Sequence, residues 1–326
     1  MKSLIPCALL ESALPTSRRP TTRFSASSAV RRAGGRLGLS VGGPAGSGKI
    51  FVGLAISLVF LGCAEAPSPP SATSGTAVAG PAIDLANYEV VDLTYSYDES
   101  TLFWPTATQR FELISTAYGM TDGGYFYASN DFRAPEHGGT HLDAPMHFAA
   151  ERHTVEQIEL ERLIAPAVVI DVSEQAAADP DYRLTAEDVA GWEAQHGEIA
   201  AGTAVLLYTG WGARWPDALA YLGDDTPGDA SNLHFPSYGE AAARVLVEQR
   251  EVAILGVDTA SIDYGPSTDF IVHQVANGAN VPGLENVAHL DRVPATGAWL
   301  IALPMKIGGG SGAPVRIVAL VPRTSP

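Results

Sequence analysis

Three histidines and one aspartate lie within eleven residues of the sequence, at His137, His141, Asp143 and His147. Imidazole and carboxylate ligands without a cysteine suit Zn²⁺, Mn²⁺ or Fe²⁺ at an open catalytic site, whereas structural zinc is usually enclosed by thiolates. A polar surface loop rich in histidine is the alternative. Four potential ligands followed by apolar residues favour a metal site, and we predict that it performs chemistry.

Glycine and proline residues indicate the conformation of this segment. Gly138 and Gly139 separate the first two histidines and Pro145 follows Asp143, and both residue types are poor choices inside a helix. We therefore predict an extended chain, in which alternate side chains share a face. The four candidate ligands all have odd residue numbers, so an extended segment would point them into one cavity.

The composition indicates a globular domain with an acidic surface. The chain has 326 residues, of which 46% are hydrophobic, and this is enough for a sizeable core. The first 62 residues hold eight of the 20 Lys and Arg but one of the 36 Asp and Glu, so the remainder carries a formal charge of −23. Because such a surface repels phosphate backbones, we predict a small-molecule partner and no nucleic acid.

Three segments precede the predicted domain, which covers residues 84–326. Residues 1–49 are rich in Arg, Ser, Gly and Pro and are predicted to be disordered or to follow a mis-assigned start codon. Residues 50–63 have the shape of a signal peptide, although a buried core helix is the alternative. Residues 64–83 are rich in Pro, Ser, Ala and Gly and are predicted to be a flexible tether.

The apolar run at 50–61 predicts export. Its twelve residues are too few for a comfortable transmembrane helix. Leu61-Gly62-Cys63 resembles the cleavage box of bacterial lipoproteins, in which the cysteine is lipidated, although Phe60 replaces the usual smaller aliphatic residue. We expect a periplasmic protein or a lipoprotein anchored to the membrane through Cys63.

Short apolar and alternating runs predict a strand-rich fold. Capping boxes at Thr185-Ala-Glu-Asp188 and Ser237-Tyr-Gly-Glu240 mark two helices. With two or three helices among about eight strands, we predict a single α/β domain with a mixed sheet. The predicted strands cover residues 88–95, 108–117, 124–132, 166–172, 203–209, 251–257, 297–303 and 315–321.

The segment His137-Gly-Gly-Thr-His141-Leu-Asp143-Ala-Pro-Met-His147-Phe resembles the signature of the metal-dependent cyclase family of hydrolases. This family includes bacterial kynurenine formamidases and isatin hydrolases. The resemblance extends over most of residues 88–322 and includes the runs 163–171, 256–259 and 304–316. It implies a swivelling β/α/β-like fold, a homodimer and a cofactor of one or two divalent ions, Zn or Mn.

The resemblance also implies the role of each site residue. In that family, the residues that match His137, His141 and Asp143 bind a metal, and the one that matches His147 is the acid/base. In members with two metals, a later histidine and a glutamate about twelve residues beyond it hold the second ion. His273 and Glu285 match this spacing, whereas members with one manganese leave the second position open.

The resemblance implies hydrolysis of an aryl formamide similar to N-formylkynurenine. One alternative is the opening of a cyclic amide such as isatin, or of a lactone. Another is a metal-carrying solute-binding lipoprotein, which would not need His147. The residues that bind substrate are not identified, although Trp104, Phe126 and Tyr127 could form the wall of an aromatic pocket or belong to the core.

Overall fold

The structure is a computed structural model that describes residues 84–323. The predicted segments 1–49, 50–63 and 64–83 lie outside the described residues and stay predictions. Between residues 84 and 323, no helix is long and apolar enough to cross a membrane.

Strands dominate the described part of the chain, and each of the eight predicted strands has a counterpart. The strands are β1 (Tyr88–Asp92), β2 (Glu112–Met120), β3 (Phe126–Arg133), β4 (His141–Asp143), β5 (Ile164–Asp171), β6 (Arg183–Leu184), β7 (Ala204–Tyr208), β8 (Ser237–Tyr238), β9 (Ile254–Val257), β10 (Gly283–Glu285), β11 (Ala298–Pro304) and β12 (Gly312–Pro322). The α-helices are α1 (Leu160–Leu163), α2 (Ser173–Ala178), α3 (Ala186–His196), α4 (Ala218–Leu222), α5 (Glu240–Arg244) and α6 (Ile271–Gly278).

Eight strands form one mixed sheet in the order β1-β12-β11-β5-β7-β9-β10-β4. The strands β5, β7, β9 and β10 run parallel, and the remaining pairings are antiparallel. Because β4 also pairs with the first residues of β12, seven of the strands form a closed sheet. The predicted single α/β domain with a mixed, strand-rich sheet is confirmed, and its closure is an addition that the sequence did not predict.

The two faces of the sheet are buried in two hydrophobic clusters. Leu206 of β7 belongs to a cluster with members from all seven strands of the closed sheet. Its neighbours Val205 and Leu207 point the other way, into a cluster shared with α3, α5 and α6. This alternation follows from the two-residue period of a strand. Helices therefore cover the outer face, while the inner face fills the closed sheet.

The two predicted capping boxes differ in outcome. Thr185 Oγ1 accepts a hydrogen bond from Asp188 N at 3.1 Å, and Asp188 Oδ2 accepts one from Thr185 N at 2.8 Å, so the box that begins α3 is confirmed. The second prediction is wrong, because Ser237 lies in β8 and its hydroxyl donates to the carbonyl of Ser261 at 2.7 Å. The helix α5 begins at Glu240 without a side-chain cap.

The hairpin formed by β2 and β3 is a separate two-stranded sheet. Phe126 and Tyr127 lie on it and are 55% and 52% exposed, so neither belongs to the core or to an aromatic pocket wall. That prediction was wrong because these strands pair only with each other and not with the main sheet. The exposed large apolar residues of the hairpin are Leu113, Ile114, Tyr118, Met120, Tyr125, Phe126, Tyr127 and Phe132.

Candidate metal centre

The strand β4 and the turn before it bring the first three predicted ligands together. His141 and Asp143 alternate with the fully buried Leu142, so they share the opposite face of β4. Gly138 and Gly139 have φ angles of 136° and 60°, a region that glycine adopts without strain, and they turn the chain back. As a result, the Nδ1 atom of the preceding histidine, at position 137, lies 2.6 Å from Asp143 Oδ1.

The prediction of an extended segment is correct for His141 to Asp143 and wrong for both flanks. His137 reaches the cluster through the glycine turn, and His147 reaches it from a 3-10 helix, Pro145–His147. The ring of His147 stacks on that of His137, with centroids 3.8 Å apart. All four side chains therefore converge on one cluster, although not through the alternation on which the prediction rested.

The helix α6 and the strand β10 supply the other half of the cluster. His273 Nε2 lies 3.2 Å from Asp143 Oδ2 and 3.3 Å from Glu285 Oε1. On the other side, His141 Nε2 lies 3.2 Å from Asp143 Oδ1 and 3.4 Å from Glu285 Oε2. Asp143 thus stands between two groups of side chains, with one oxygen directed to each. The structure brings all six residues of the predicted site together.

Carboxylates dominate the electrostatics of this buried cluster. Burial disfavours the charged form of His141, but Asp143 and Glu285 outweigh it and raise the His141 pKa to about 9. Burial likewise opposes charging of His273, and its hydrogen bonds to Asp143 and Asp263 raise its pKa well above the usual value. The cluster therefore attracts positive charge, which protons or a divalent cation can supply.

His147 has the opposite electrostatic environment. Burial lowers its pKa to about 4 against the attraction of Asp143, and the neighbouring His137 and His273 lower it further. The imidazole is therefore neutral near pH 7 and able to accept a proton.

The nitrogen donors of the cluster fit a divalent metal ion. His141 Nδ1 lies 3.0 Å from the carbonyl oxygen of Gly139, to which it can donate its proton. Its Nε2 atom is buried and forms no hydrogen bond with any residue between 84 and 323. A buried polar atom without a hydrogen bond costs about 1–3 kcal/mol. Because this nitrogen faces the carboxylates of Asp143 and Glu285, a divalent ion could take the place of its proton, as expected of a metal ligand. Ligand atoms of His137, His141 and Asp143 lie within 4.8 Å of one another, as do those of Asp143, His147 and His273.

The cluster forms the floor of a cavity of about 270 Å³. The cavity walls are largely apolar. Trp104 lines the cavity, as one of the two sequence interpretations held, and Phe148 directly follows the histidine motif. Phe270 has a left-handed backbone, with a φ angle of 51°, and nothing in its sequence context indicated a role in the cavity. The apolar wall residues are Leu102, Phe103, Trp104, Phe148, Leu222, Ala260 and Phe270.

The comparisons with known proteins agree with this geometry. A family model described as "Putative cyclase" matches residues 91–264, and the chain belongs to this family. It is 38% identical over 224 residues to an isatin hydrolase from Roseibium aggregatum, which covers 66% of this chain and 83% of the relative. It is 29% identical over 233 residues to a kynurenine formamidase from Salinibacter ruber, with coverage of 70% and 96%.

A solved structure extends the similarity to the fold. The crystal structure of an isatin hydrolase bound to the product analogue thioisatinate superposes with a TM-score of 0.66 at 35% identity, covering 73% of this chain and 94% of that one. The protein is thus a hydrolase of the cyclase family.

Proposed function

We propose that the protein is a metal-dependent amidohydrolase whose substrate carries its amide on an aromatic ring. The observation that supports this most directly is the buried cluster of His, Asp and Glu at the floor of a cavity with aromatic walls. Apolar walls with a few convergent polar groups are typical of small-molecule sites. Such walls would hold a flat ring while the polar floor meets its amide.

We assign different roles to the residues at the floor of the cavity. His137, His141 and Asp143 would hold one ion, and His273 and Glu285 would hold a second that shares Asp143. When bound, a divalent ion supplies Lewis-acid activation of water and of a carbonyl group. The neutral imidazole of His147 takes a proton from the attacking water and returns it to the leaving nitrogen. The metal is Zn or Mn, which elemental analysis of the purified protein distinguishes.

An aryl formamide is the first candidate substrate, and the similarity to kynurenine formamidases supports it. A cyclic amide is also a candidate substrate. The similarity to the isatin hydrolase supports it, since that relative is 38% identical to this chain and the kynurenine formamidase is 29% identical. The test is to measure kcat/KM of the Mn²⁺- and Zn²⁺-loaded protein on N-formylkynurenine, isatin and an aryl lactone. Hydrolysis of an amide supports the proposal, whereas tight binding of a compound without hydrolysis supports the carrier alternative.

The protein is further proposed to form a homodimer, as the family resemblance implies. The hairpin supports this proposal, because it exposes eight large apolar side chains, and exposed apolar surface of this kind often marks a protein–protein contact. We expect Tyr118→Ser with Phe126→Ser, two side chains in edge-to-face contact on the hairpin, to shift the dimer toward monomer in sedimentation velocity. Exposed Leu219→Ser on α4 is the matched control and should leave the dimer intact. A monomeric parent would refute the proposal.

Export to the periplasm or the membrane, with lipidation of Cys63, is also a proposal, and it depends on residues 50–63 alone. Cell fractionation tests it. Protein found wholly in the cytosol with residues 1–62 retained would contradict export, and a soluble periplasmic product would contradict only the lipid anchor.

A further inference from the structure

A buried aspartate outside the predicted site holds the ring of His273. Asp263 is 1% exposed, and its Oδ2 atom lies 2.7 Å from His273 Nδ1. A carboxylate at this distance accepts the Nδ1 proton. The Nε2 atom is then directed at Asp143 and Glu285, which lie 3.2 Å and 3.3 Å away, and is the ring nitrogen that an ion would bind. The aspartate thereby selects the ring nitrogen that faces the centre.

The same carboxylate holds the beginning of α6. Asp263 Oδ1 accepts a hydrogen bond from Val272 N at 3.0 Å, and Oδ2 accepts one from His273 N at 3.0 Å. The N-cap residue, Phe270, has no side chain that could accept these bonds. One buried side chain therefore fixes both the backbone that carries His273 and the orientation of its ring.

The other two histidines that we assign as metal ligands have neutral partners on the ring nitrogen that faces away from Glu285. His141 Nδ1 faces the carbonyl of Gly139, and His137 Nε2 lies 2.9 Å from the hydroxyl of Ser311. A carboxylate partner increases the basicity of an imidazole more than a neutral acceptor does, and such partners orient metal-binding histidines. Only His273 therefore has a charged outer partner, so removal of that partner should affect the ion held by His273 more than the ion held by His141.

We propose that Asp263 is a positioning residue that fixes the tautomer of His273 and thereby controls binding of the ion held by His273 and Glu285. This inference rests on the proposed metal dependence. Loss of such an outer partner typically weakens metal binding about 10–100-fold. Asp263→Leu removes every acceptor, while Asp263→Asn retains one oxygen where the carboxylate offers two. The affinity for that ion should therefore fall in the order parent, Asp263→Asn, Asp263→Leu.

The experiment measures Mn²⁺ binding to the full-length protein by calorimetry, without any substrate. Asp188→Leu is the matched control, because Asp188 also caps a helix, α3, but contacts no residue of the cluster. The control should bind Mn²⁺ as the parent does. Folded Asp263→Leu should instead lose one ion or bind it with an affinity about 10–100-fold lower. Unchanged Mn²⁺ binding by folded Asp263→Leu overturns the inference, and so does equal weakening in Asp188→Leu.

A second measurement needs no variant of Asp263. In the Zn²⁺-loaded parent, proton NMR should detect a slowly exchanging imidazole N–H at Nδ1 of His273, assigned by its loss in His273→Gln. A proton at Nε2 instead overturns the inference. A parent that binds no metal overturns both this inference and the proposed function. Loss of one ion in Asp263→Leu supports the inference even if the parent hydrolyses no amide.

Discussion

Asp143 is the residue on which the two halves of the cluster depend. Its Oδ1 atom faces His137 and His141, and its Oδ2 atom faces His273. Burial opposes ionisation of Asp143, yet the neighbouring His141 and His137 hold its pKa well below the usual range. The carboxylate is therefore available as a ligand for two positions at once.

We assign proton transfer to His147 and metal binding to the other histidines of the cluster, and a single substitution can test this difference. We expect His147→Ala to retain near-stoichiometric metal and to lower kcat by about 10²–10⁴, the usual contribution of general acid–base catalysis. His137→Ala should instead lose metal and activity together. Metal analysis and amide hydrolysis measured on the same samples separate the two outcomes. Metal loss in His147→Ala would make this residue a ligand, and an unchanged rate would exclude it as the acid/base.

At the scale of elements, the site depends on where β12 meets β4. Gly312 pairs with Asp143 across these strands, and a Cβ atom at Gly312 would lie 2.5 Å from His137 Cε1 and 2.9 Å from the carbonyl oxygen of Leu142. Its neighbour Ser311 contacts the same histidine ring. The glycine-rich turn thus allows the last strand to approach the cluster.

Gly312→Ala should therefore lower both the free energy of unfolding and the affinity for metal. Overpacking of this kind costs about 1–3 kcal/mol, because backbone and ring must both move. Gly191→Ala in α3 is the control: a Cβ atom there meets nothing within 4 Å, and alanine should stabilise the helix by about 0.5–1 kcal/mol. Denaturant titration and Mn²⁺ calorimetry measure the two effects. Equal behaviour of the two variants would contradict the close approach.

The elements of the site show what the sequence could predict. Long apolar runs such as β5 and β7 have enough residues to establish a period, and all eight predicted strands exist. The strand β10 has three residues and owes its existence to its partners, so no local pattern identifies it, whereas the glycine and proline residues around β4 indicated its extended conformation. The helix α6 was missed because it has only eight residues and its cap, Asp263, lies nine residues before Val272, outside the spacing of a capping box.

The candidate site residues likewise divide into those that the local sequence indicated and those that it did not. His137, His141, Asp143 and His147 stand close together, and their residue types alone indicated a metal site. His273 and Glu285 are more than 125 residues further on, and only the family resemblance connected them to the motif. Asp263 and Ser311 carried no signal, because an orienting hydrogen bond depends on tertiary contacts that neither residue type nor spacing reports.

At the scale of the whole molecule, metal binding should stabilise the fold, because the ligands come from distant parts of the chain and converge only in the native state. We expect chelation to lower the Tm of the purified protein, and re-addition of Mn²⁺ or Zn²⁺ to restore it in a concentration-dependent way. The variant His141→Ala should show little response. Calorimetric scans with and without chelator measure this, and an identical Tm in the parent would contradict a metal centre.

The closure of the sheet by β12 also affects the order in which the parts of the site come together. Gly312 to Pro314 complete the wall beside His141 and Asp143, yet the ribosome makes them about 170 residues after the histidine motif. Contacts so far apart in sequence cost more loop-closure entropy than local contacts do, and they slow folding. The nascent chain thus displays its histidines before the strand that encloses them has been made, so the complete metal centre can form only after β12 has been synthesised and has paired with β4.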